Sequence, residues 1–133
     1  MRVVLDTNVF VSSFFGGNPG EIIKLWRSGR IYLCLSAAIL DEYVEVLARL
    51  GIAGEKELEE LLALFRRGFN IIFIHNPPGV SVVDQDPDDD KFFACAAAME
   101  ADAVVSGDRK VLEIKKFMGI TVYSPAEFLK LFH

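Results

Sequence analysis

The sequence predicts a single α/β domain with a central, mostly parallel sheet flanked by helices. Strand and helix patterns alternate along the chain, which is typical of a parallel sheet with helices on its faces. The chain has 133 residues, of which 52% are hydrophobic and 25% charged, and this suits one compact core. We find no repeat, linker or low-complexity tract, so we expect residues 1–133 to form one domain.

The first predicted strand is the short apolar run Arg2–Leu5. A helix is then expected from Pro19, because Asn18 can cap it, proline suits a first turn and Gly29 can end it. Ile31–Leu35 is the second predicted strand.

A second helix is predicted from its N-cap Ser36 to about Leu50, with Gly51 as its stop. Apolar residues at helical spacing between Leu58 and Phe65 predict a further helix with one face packed on the body. The third strand is predicted at Asn70–His75, where two prolines and a glycine then force a loop.

The second half of the chain begins with the apolar segment Val80–Val83, which we count as a strand. The run Asp90–Ala101 predicts a helix that is nearly apolar all round, and such a helix is normally covered on most sides. The remaining predicted elements are the strand Ala103–Ser106, the helix Arg109–Met118, the strand Thr121–Tyr123 and a terminal helix that starts at Ser124 and Pro125.

Composition argues against several classes of protein. The stretch Thr7–Gly20 is interrupted by Asn8, serines and glycines, so it predicts neither a signal peptide nor a membrane span, and we expect a cytoplasmic protein. Cys34 and Cys95 lie in apolar surroundings and are expected to be buried hydrophobes rather than a disulfide. Two histidines and two scattered cysteines do not supply a zinc ligand set.

Four carboxylates are placed where predicted strands end. Asp6 directly follows the first strand, Asp108 follows the Val104–Ser106 strand after one glycine, and Asp90 opens the helix after Val80–Val83. Glu42 lies in the second turn of the helix that follows the second strand. Ligands of open parallel sheets bind beyond the carboxyl ends of the strands, so we expect these acids to form one site.

Helical phase selects Glu42 among its acidic neighbours. At 3.6 residues per turn, the predicted buried face comprises Ile39, Tyr43, Val46 and Leu50. Glu42 falls beside Ile39 and Val46 on the border of that face. Asp41 and Glu45 fall nearly opposite that face. Only Glu42 is therefore expected to reach inward toward a cleft.

Each aspartate also has a purely structural explanation. Asp6 could cap a short helix from Val9, Asp90 or its neighbours Asp88 and Asp89 could cap the central helix, and Asp108 could be a turn residue. Taken singly, each alternative is at least as good as a functional role. The convergence of the set on one end of the sheet favours function.

Clustered carboxylates repel one another unless a positive charge lies among them. Magnesium or manganese is the expected cofactor, as one or two ions, because these hard cations take oxygen ligands. Such ions can activate water for phosphodiester hydrolysis. The formal net charge of -5 argues at first against nucleic acid, but without the four acids 15 acidic residues remain against 14 basic ones.

Three segments resemble the PIN domain family, particularly its VapC-like toxins: Val3–Phe10 (VVLDTNVF), Asp86–Ala98 (DPDDDKFFACAAA) and Val104–Asp108 (VVSGD). The resemblance covers essentially the whole chain. It implies a five-stranded, Rossmann-like parallel sheet, cleavage of RNA, frequent homodimers and inhibition by a small antitoxin protein.

The resemblance also assigns residues. Asp6, Glu42, Asp90 and Asp108 match the family's metal-holding and catalytic acids. Asn8 and Ser106 match its supporting polar positions. Helical phase favours Asp90 at the third acidic position, but Asp88 could share the metal or take its place. Basic residues beside the acids are candidates for substrate phosphates, with solvated helix termini as the alternative: Lys91, Arg109 and Lys110.

Other classes fit less well. A haloacid dehalogenase-type phosphatase needs a second aspartate where this chain has Asn8, and a response-regulator receiver needs paired acids beside the first strand. A housekeeping RNA-processing nuclease and a catalytically weak RNA- or protein-binding module stay open as alternatives to a toxin. Aromatic enrichment at interfaces suggests Trp26 and Phe69 for a dimer or antitoxin surface.

Overall fold

One sheet runs through the computed structural model, which describes residues 1–52, 56–83 and 87–132. Within these ranges it has six strands in the spatial order β3–β2–β1–β4–β6–β5, and all neighbours are parallel except β5 and β6. The strands are β1 (Arg2–Leu5), β2 (Tyr32–Ser36), β3 (Ile71–Ile74), β4 (Ala103–Val105), β5 (Lys116–Phe117) and β6 (Ile120–Tyr123).

Helices follow most of the parallel strands, as expected for a sheet covered on its faces. They are α1 (Thr7–Ser12), α2 (Gly17–Arg27), α3 (Ala37–Arg49), α4 (Lys56–Arg66), α5 (Asp90–Ala98), α6 (Arg109–Leu112) and α7 (Pro125–Leu129). The predicted single α/β domain with a mostly parallel central sheet is therefore confirmed. None of the helices in the described ranges is long and apolar enough to cross a membrane.

The centre of the core lies between β1, β4 and α5. Val4 and Val104 are neighbours in the sheet and both are fully buried. Helix α5 packs on β1, β2 and β4, and its Phe92 and Phe93 are buried. Both faces of β1 and β4 are covered, and this explains why these strands are apolar at nearly every position.

Local signals placed several elements correctly. Strand β1 has the predicted bounds, and Ser36 caps α3 by accepting a hydrogen bond from the Ile39 N–H at 3.3 Å. Ser124 and Glu127 form a reciprocal capping box at the start of α7. Caps are short-range hydrogen bonds, so residue type and spacing predict them well.

The predicted helix Arg109–Met118 is wrong beyond its first turn. Lys115 (φ 63°) and Met118 (φ 50°) adopt left-handed backbone conformations, which end the helix and turn the chain into the β5–β6 hairpin. Phe117 in β5 packs edge-on against Phe93 at 5.8 Å between ring centroids. Packing of this partly buried ring outweighs local helix propensity and adds a strand, β5, that was not expected.

Three other boundaries differ from the prediction. Val80–Val83 forms no strand, although Val83 is buried. Helix α2 begins at Gly17, two residues before Pro19. Helix α5 ends at Ala98, because Glu100 has a φ of 51° and cannot continue the helix.

Trp26 belongs to the interior, so its proposed role at a partner surface is wrong. It is fully buried, and its indole N–H donates to the carbonyls of Phe69 and Asn70 at 3.1 and 3.2 Å. The cysteines are buried and free, as expected. Burial raises the pKa of Cys34 to about 11 and that of Cys95 to about 12, so both thiols stay protonated at neutral pH.

Candidate active site at the carboxyl ends of β1 and β4

Asp6 lies at the point where β1 ends and α1 begins. Its Oδ1 accepts a hydrogen bond from the Val9 N–H at 2.9 Å, so the residue caps α1 as the structural alternative proposed. Its other oxygen, Oδ2, accepts a hydrogen bond from the hydroxyl of Ser106. The Asp6 residue is 4% exposed. A carboxylate held at both oxygens in the interior has a fixed orientation.

Ser106 links Asp6 to Asp108. Leu5 and Val105 are paired in the sheet, so the chain leaves β1 and β4 at the same level. The Ser106 hydroxyl donates to Asp6 and accepts the Asp108 N–H at 3.0 Å. Asp108 is half-buried and caps α6 by accepting the Lys110 N–H at 2.9 Å. Two of the four predicted acids are thereby connected through one buried hydroxyl.

Glu42 has the orientation that helical phase predicts. It is half-buried, while Asp41 and Glu45 are exposed. Its Oε2 lies 2.7 Å from the Nζ of Lys91, and the two side chains are 33% and 21% exposed. The same ammonium donates to the carbonyl of Asp88. Lys91 is therefore an internal counter-charge to Glu42, and its role at a substrate phosphate stays a prediction.

Asp90 holds the loop before α5. Its Oδ1 accepts the N–H groups of Val82 and Val83 at 3.0 and 2.7 Å. These bonds satisfy backbone groups of the segment that was expected to be a strand. Asp88 is exposed and Asp90 is half-buried, so of these two the structure places Asp90 nearer the interior.

Burial and two neighbouring acids act on the pKa of Asp6. Burial raises the pKa of Asp6, the hydrogen bonds from Ser106 and Val9 oppose that rise, and the negative charges of Asp108 and Glu42 add to it. Tyr43 is fully buried, and its pKa is raised well above its usual value by burial and by the charges of Asp6 and Glu42. Burial and the nearby acids therefore disfavour the negative charge on Asp6, and a bound cation would stabilise that charge.

The four acids make separate contacts in this structure. In the parts of the chain that the structure describes, no group of three or more His, Cys, Asp or Glu residues is arranged to hold a metal ion. Asp6 and Asp108 are joined through Ser106, whereas Glu42 is paired with Lys91. A carboxylate pair still fits magnesium, which usually binds through one or two carboxylates and keeps several waters.

The other predicted site residues lie on the surface. Asn8 is on the exposed side of α1. Arg109 is exposed and lies 3.7 Å from the carboxylate of Glu113, and Lys110 is also exposed. The supporting role of Asn8 and the phosphate roles of Arg109 and Lys110 stay predictions.

Two features of the site escaped the sequence reasoning. Tyr43 was assigned to the buried face of α3, but its hydroxyl also donates to the carbonyl of Leu5, just before Asp6. Thr7 is 4% exposed, and its hydroxyl oxygen has no hydrogen-bond partner among the described residues. The D-T-N segment was visible in the sequence, yet nothing in it indicated that this hydroxyl would be buried.

The sheet is mostly parallel, and acidic side chains follow the ends of two adjacent central strands, β1 and β4. The protein is therefore an α/β domain with an acidic candidate site at the carboxyl ends of its strands. The PIN domain family model matches residues 2–110, and the chain belongs to the PIN domain family. Proteins of this family are generally nucleases that act on nucleic acid, typically with divalent metals. The chain is also similar to an uncharacterized protein of Methanocaldococcus jannaschii, at 29% identity over 146 aligned positions that cover 99% of this chain and 92% of the relative.

Proposed function

We propose that this protein is a magnesium- or manganese-dependent ribonuclease that hydrolyses RNA phosphodiester bonds at the carboxyl ends of β1 and β4. The observation that carries the proposal is the buried link from Asp6 through Ser106 to Asp108. Membership of the PIN domain family supports the nuclease class. The proposed catalytic and metal-holding residues are Asp6, Glu42, Asp90 and Asp108, with Asn8, Ser106 and Asp88 as supporting residues.

The donor set fits a hard divalent cation. All four proposed ligands are carboxylates, and such oxygen ligands suit magnesium and manganese. Burial and the negative charges of Asp108 and Glu42 raise the pKa of Asp6, and a bound cation would stabilise its charged form. The buried Thr7 hydroxyl lacks a protein partner in the described ranges, and a water of a hydrated ion could satisfy it.

The residues of this chain have separate tasks in the proposed reaction. Such an ion, when bound, supplies activation of water and stabilisation of charge on the phosphodiester. Ser106 holds the Asp6 carboxylate in one orientation, and Lys91 supplies a counter-charge to Glu42. We assign Arg109 and Lys110, both exposed beside Asp108, to contacts with the phosphates of the RNA.

The finer biological role follows the resemblance to VapC-like toxins. We infer a cytoplasmic toxin of a toxin–antitoxin pair, acting as a homodimer and inhibited by a small antitoxin protein that covers the cleft. A housekeeping nuclease of RNA maturation has the same chemistry and differs only in its partner and its targets.

Cleavage of a mixed RNA pool tests the chemistry. We expect fragments with Mg²⁺ or Mn²⁺, none with EDTA, and none from the Asp6→Asn or Asp90→Asn variants. The matched control is Asp102→Asn, because Asp102 precedes β4 at the opposite edge of the sheet and bonds to the Arg2 N–H at 2.9 Å. Cleavage that survives the chelator, or undiminished cleavage by either site variant, would refute the proposal.

Induced expression tests the toxin role. We expect growth arrest with the parent chain, normal growth with Asp6→Asn, and rescue when the neighbouring reading frame is expressed as well. Normal growth with an active parent enzyme would favour housekeeping RNA processing.

A further inference from the structure

A cavity of about 380 Å³ opens beside the candidate active site, at the carboxyl ends of β2 and β3. Its walls come from the start of α3, the loop after β3 and the start of α5. Ala38, Pro77 and Val80 supply apolar surface, while Asp41, His75 and Asn76 supply polar groups. This volume lies within the range of pockets that bind small organic groups.

The cavity and the candidate active site share one wall. Asp90 and Lys91 line the cavity, and Lys91 is also the ion-pair partner of Glu42. A group bound in the cavity would therefore lie next to the acids proposed to act on a phosphodiester. In an RNA strand, the group next to a phosphodiester is a nucleoside.

We propose that this cavity binds the nucleobase flanking the scissile phosphodiester of a single-stranded RNA, with Asp41 selecting guanine. The proposal rests on the proposed ribonuclease function and adds the part of the substrate that the enzyme recognises. Neither the family match nor the relative assigns this site.

The lining explains the choice of ligand. Unpaired bases are recognised through stacking or apolar contact on their faces and hydrogen bonds to their Watson–Crick edges. Ala38, Pro77 and Val80 offer the apolar contact, and the Asn76 amide has both donors and acceptors. These groups give the cavity the mixed lining that a nucleobase requires.

Asp41 determines which base is favoured. An ionised carboxylate only accepts hydrogen bonds, so it suits an edge with adjacent N–H donors. Guanine presents two such donors on its Watson–Crick edge. Uracil presents one donor between two carbonyl oxygens, which a carboxylate repels. We therefore expect guanine to bind best and uracil to bind worst.

Proton NMR of His75 tests the binding without any cleavage. The chain has two histidines, and a His75→Gln variant assigns the signals. With EDTA present, we expect GMP to shift the His75 signals and UMP to bind at least fivefold more weakly. No His75 shift with GMP would overturn the cavity as a base site, and equal binding of both nucleotides would overturn the selection by Asp41.

Matched variants test whether GMP binds in this cavity. Ala38→Leu should abolish GMP binding by filling the cavity, whereas Ala48→Leu, on the exposed far end of the same helix, should leave it unchanged. Asp41→Asn should bring the affinities for GMP and UMP within twofold of each other, and Glu45→Gln, one turn further along, should not. Unchanged GMP binding by Ala38→Leu would overturn the site.

Sequencing of fragments from a randomised RNA connects the cavity to cleavage. The parent chain should favour guanine at one position beside the cut, and Asp41→Asn should lose that preference while it still cleaves. Cleavage with no base preference overturns this inference but not the nuclease. Absence of cleavage together with intact GMP binding overturns the nuclease but not the cavity.

Discussion

The hydroxyl of Ser106 donates a hydrogen bond to the carboxylate of Asp6, a residue 100 positions earlier in the chain. Both groups are buried where β1 and β4 end side by side. The bond stabilises the charged form of Asp6 against the burial that disfavours it. One serine thus orients a buried acid and favours its charged form.

Asp6→Asn should be more stable than the parent chain at pH 7 without metal. Burial raises the folded-state pKa of Asp6 above 3.8, so folding favours the protonated form and the ionised carboxylate opposes folding at neutral pH. An amide can keep the cap to Val9 and the contact to Ser106. We expect a gain of roughly 2–5 °C in Tm, measured by thermal unfolding in EDTA.

The pH dependence checks this explanation. The difference in stability between Asp6→Asn and the parent should be largest above the folded-state pKa of Asp6. It should vanish as the pH falls below 3.8, because the acid is then protonated in both the folded and the unfolded state. Magnesium should raise the Tm of the parent and not of Asp6→Asn, because only the parent has the carboxylate. A variant that is less stable than the parent at pH 7 would contradict the assigned origin of the pKa shift.

Ser106→Ala should destabilise the fold by about 2 kcal/mol, because a hydrogen bond to a buried carboxylate is lost and the Asp108 N–H loses its acceptor. The pKa of Asp6 should rise further, so the acidic limb of the activity profile should move to higher pH. Urea unfolding and a pH–rate profile measure the two effects.

Ser124→Ala is the control for the serine substitution. It removes the exposed cap of α7 and should cost about 1 kcal/mol without moving the pH profile. Equal pH profiles for the Ser106→Ala variant and the parent would show that Ser106 is only structural.

Lys91→Gln should leave Glu42 without its counter-charge and weaken the fold at neutral pH. The pair is half-buried, so we expect a loss of about 1–2 kcal/mol, less than for a fully buried pair. Added Mg²⁺ should recover part of the stability, because a cation can replace the lost ammonium. Arg49→Gln breaks the exposed pair with Glu45 and should cost less than about 0.5 kcal/mol. Equal losses in the two variants would count against an internal role for Lys91.

Tyr43→Phe should cost about 1–2 kcal/mol, because the carbonyl of Leu5 loses its buried donor. The ring should stay in place, since it stacks on Phe10 with centroids 4.1 Å apart. Tyr32→Phe is the control: Tyr32 is 45% exposed, and the change should be close to neutral. Urea unfolding of both variants measures the difference, and a neutral Tyr43→Phe would refute the role of this hydroxyl.

Local patterns predicted most of the fold. Strand β1 and the caps at Ser36 and Ser124 depend on residues within four positions of each other, so residue type and spacing are sufficient. The placement of Asp6 and Asp108 beyond β1 and β4 follows from the same strand pattern. Helical phase likewise predicted the half-buried position of Glu42.

Long-range packing decided the features that were missed. The β5–β6 hairpin replaced a predicted helix because Phe117 packs against Phe93, a residue distant in sequence. The segment Val80–Val83 bonds to Asp90 instead of joining the sheet. Local propensity carries no information about either partner.

The amino-acid sequence by itself determined the α/β class, the order of most elements and the acids that follow the strands, because hydrophobic period and capping are local properties. The tertiary structure alone decided which charges meet. It joined Asp6 to Ser106 and Asp108, paired Glu42 with Lys91 and formed the cavity beside Asp90. These contacts depend on how strands and helices that are far apart in the chain pack together. Local sequence patterns carry no information about that packing.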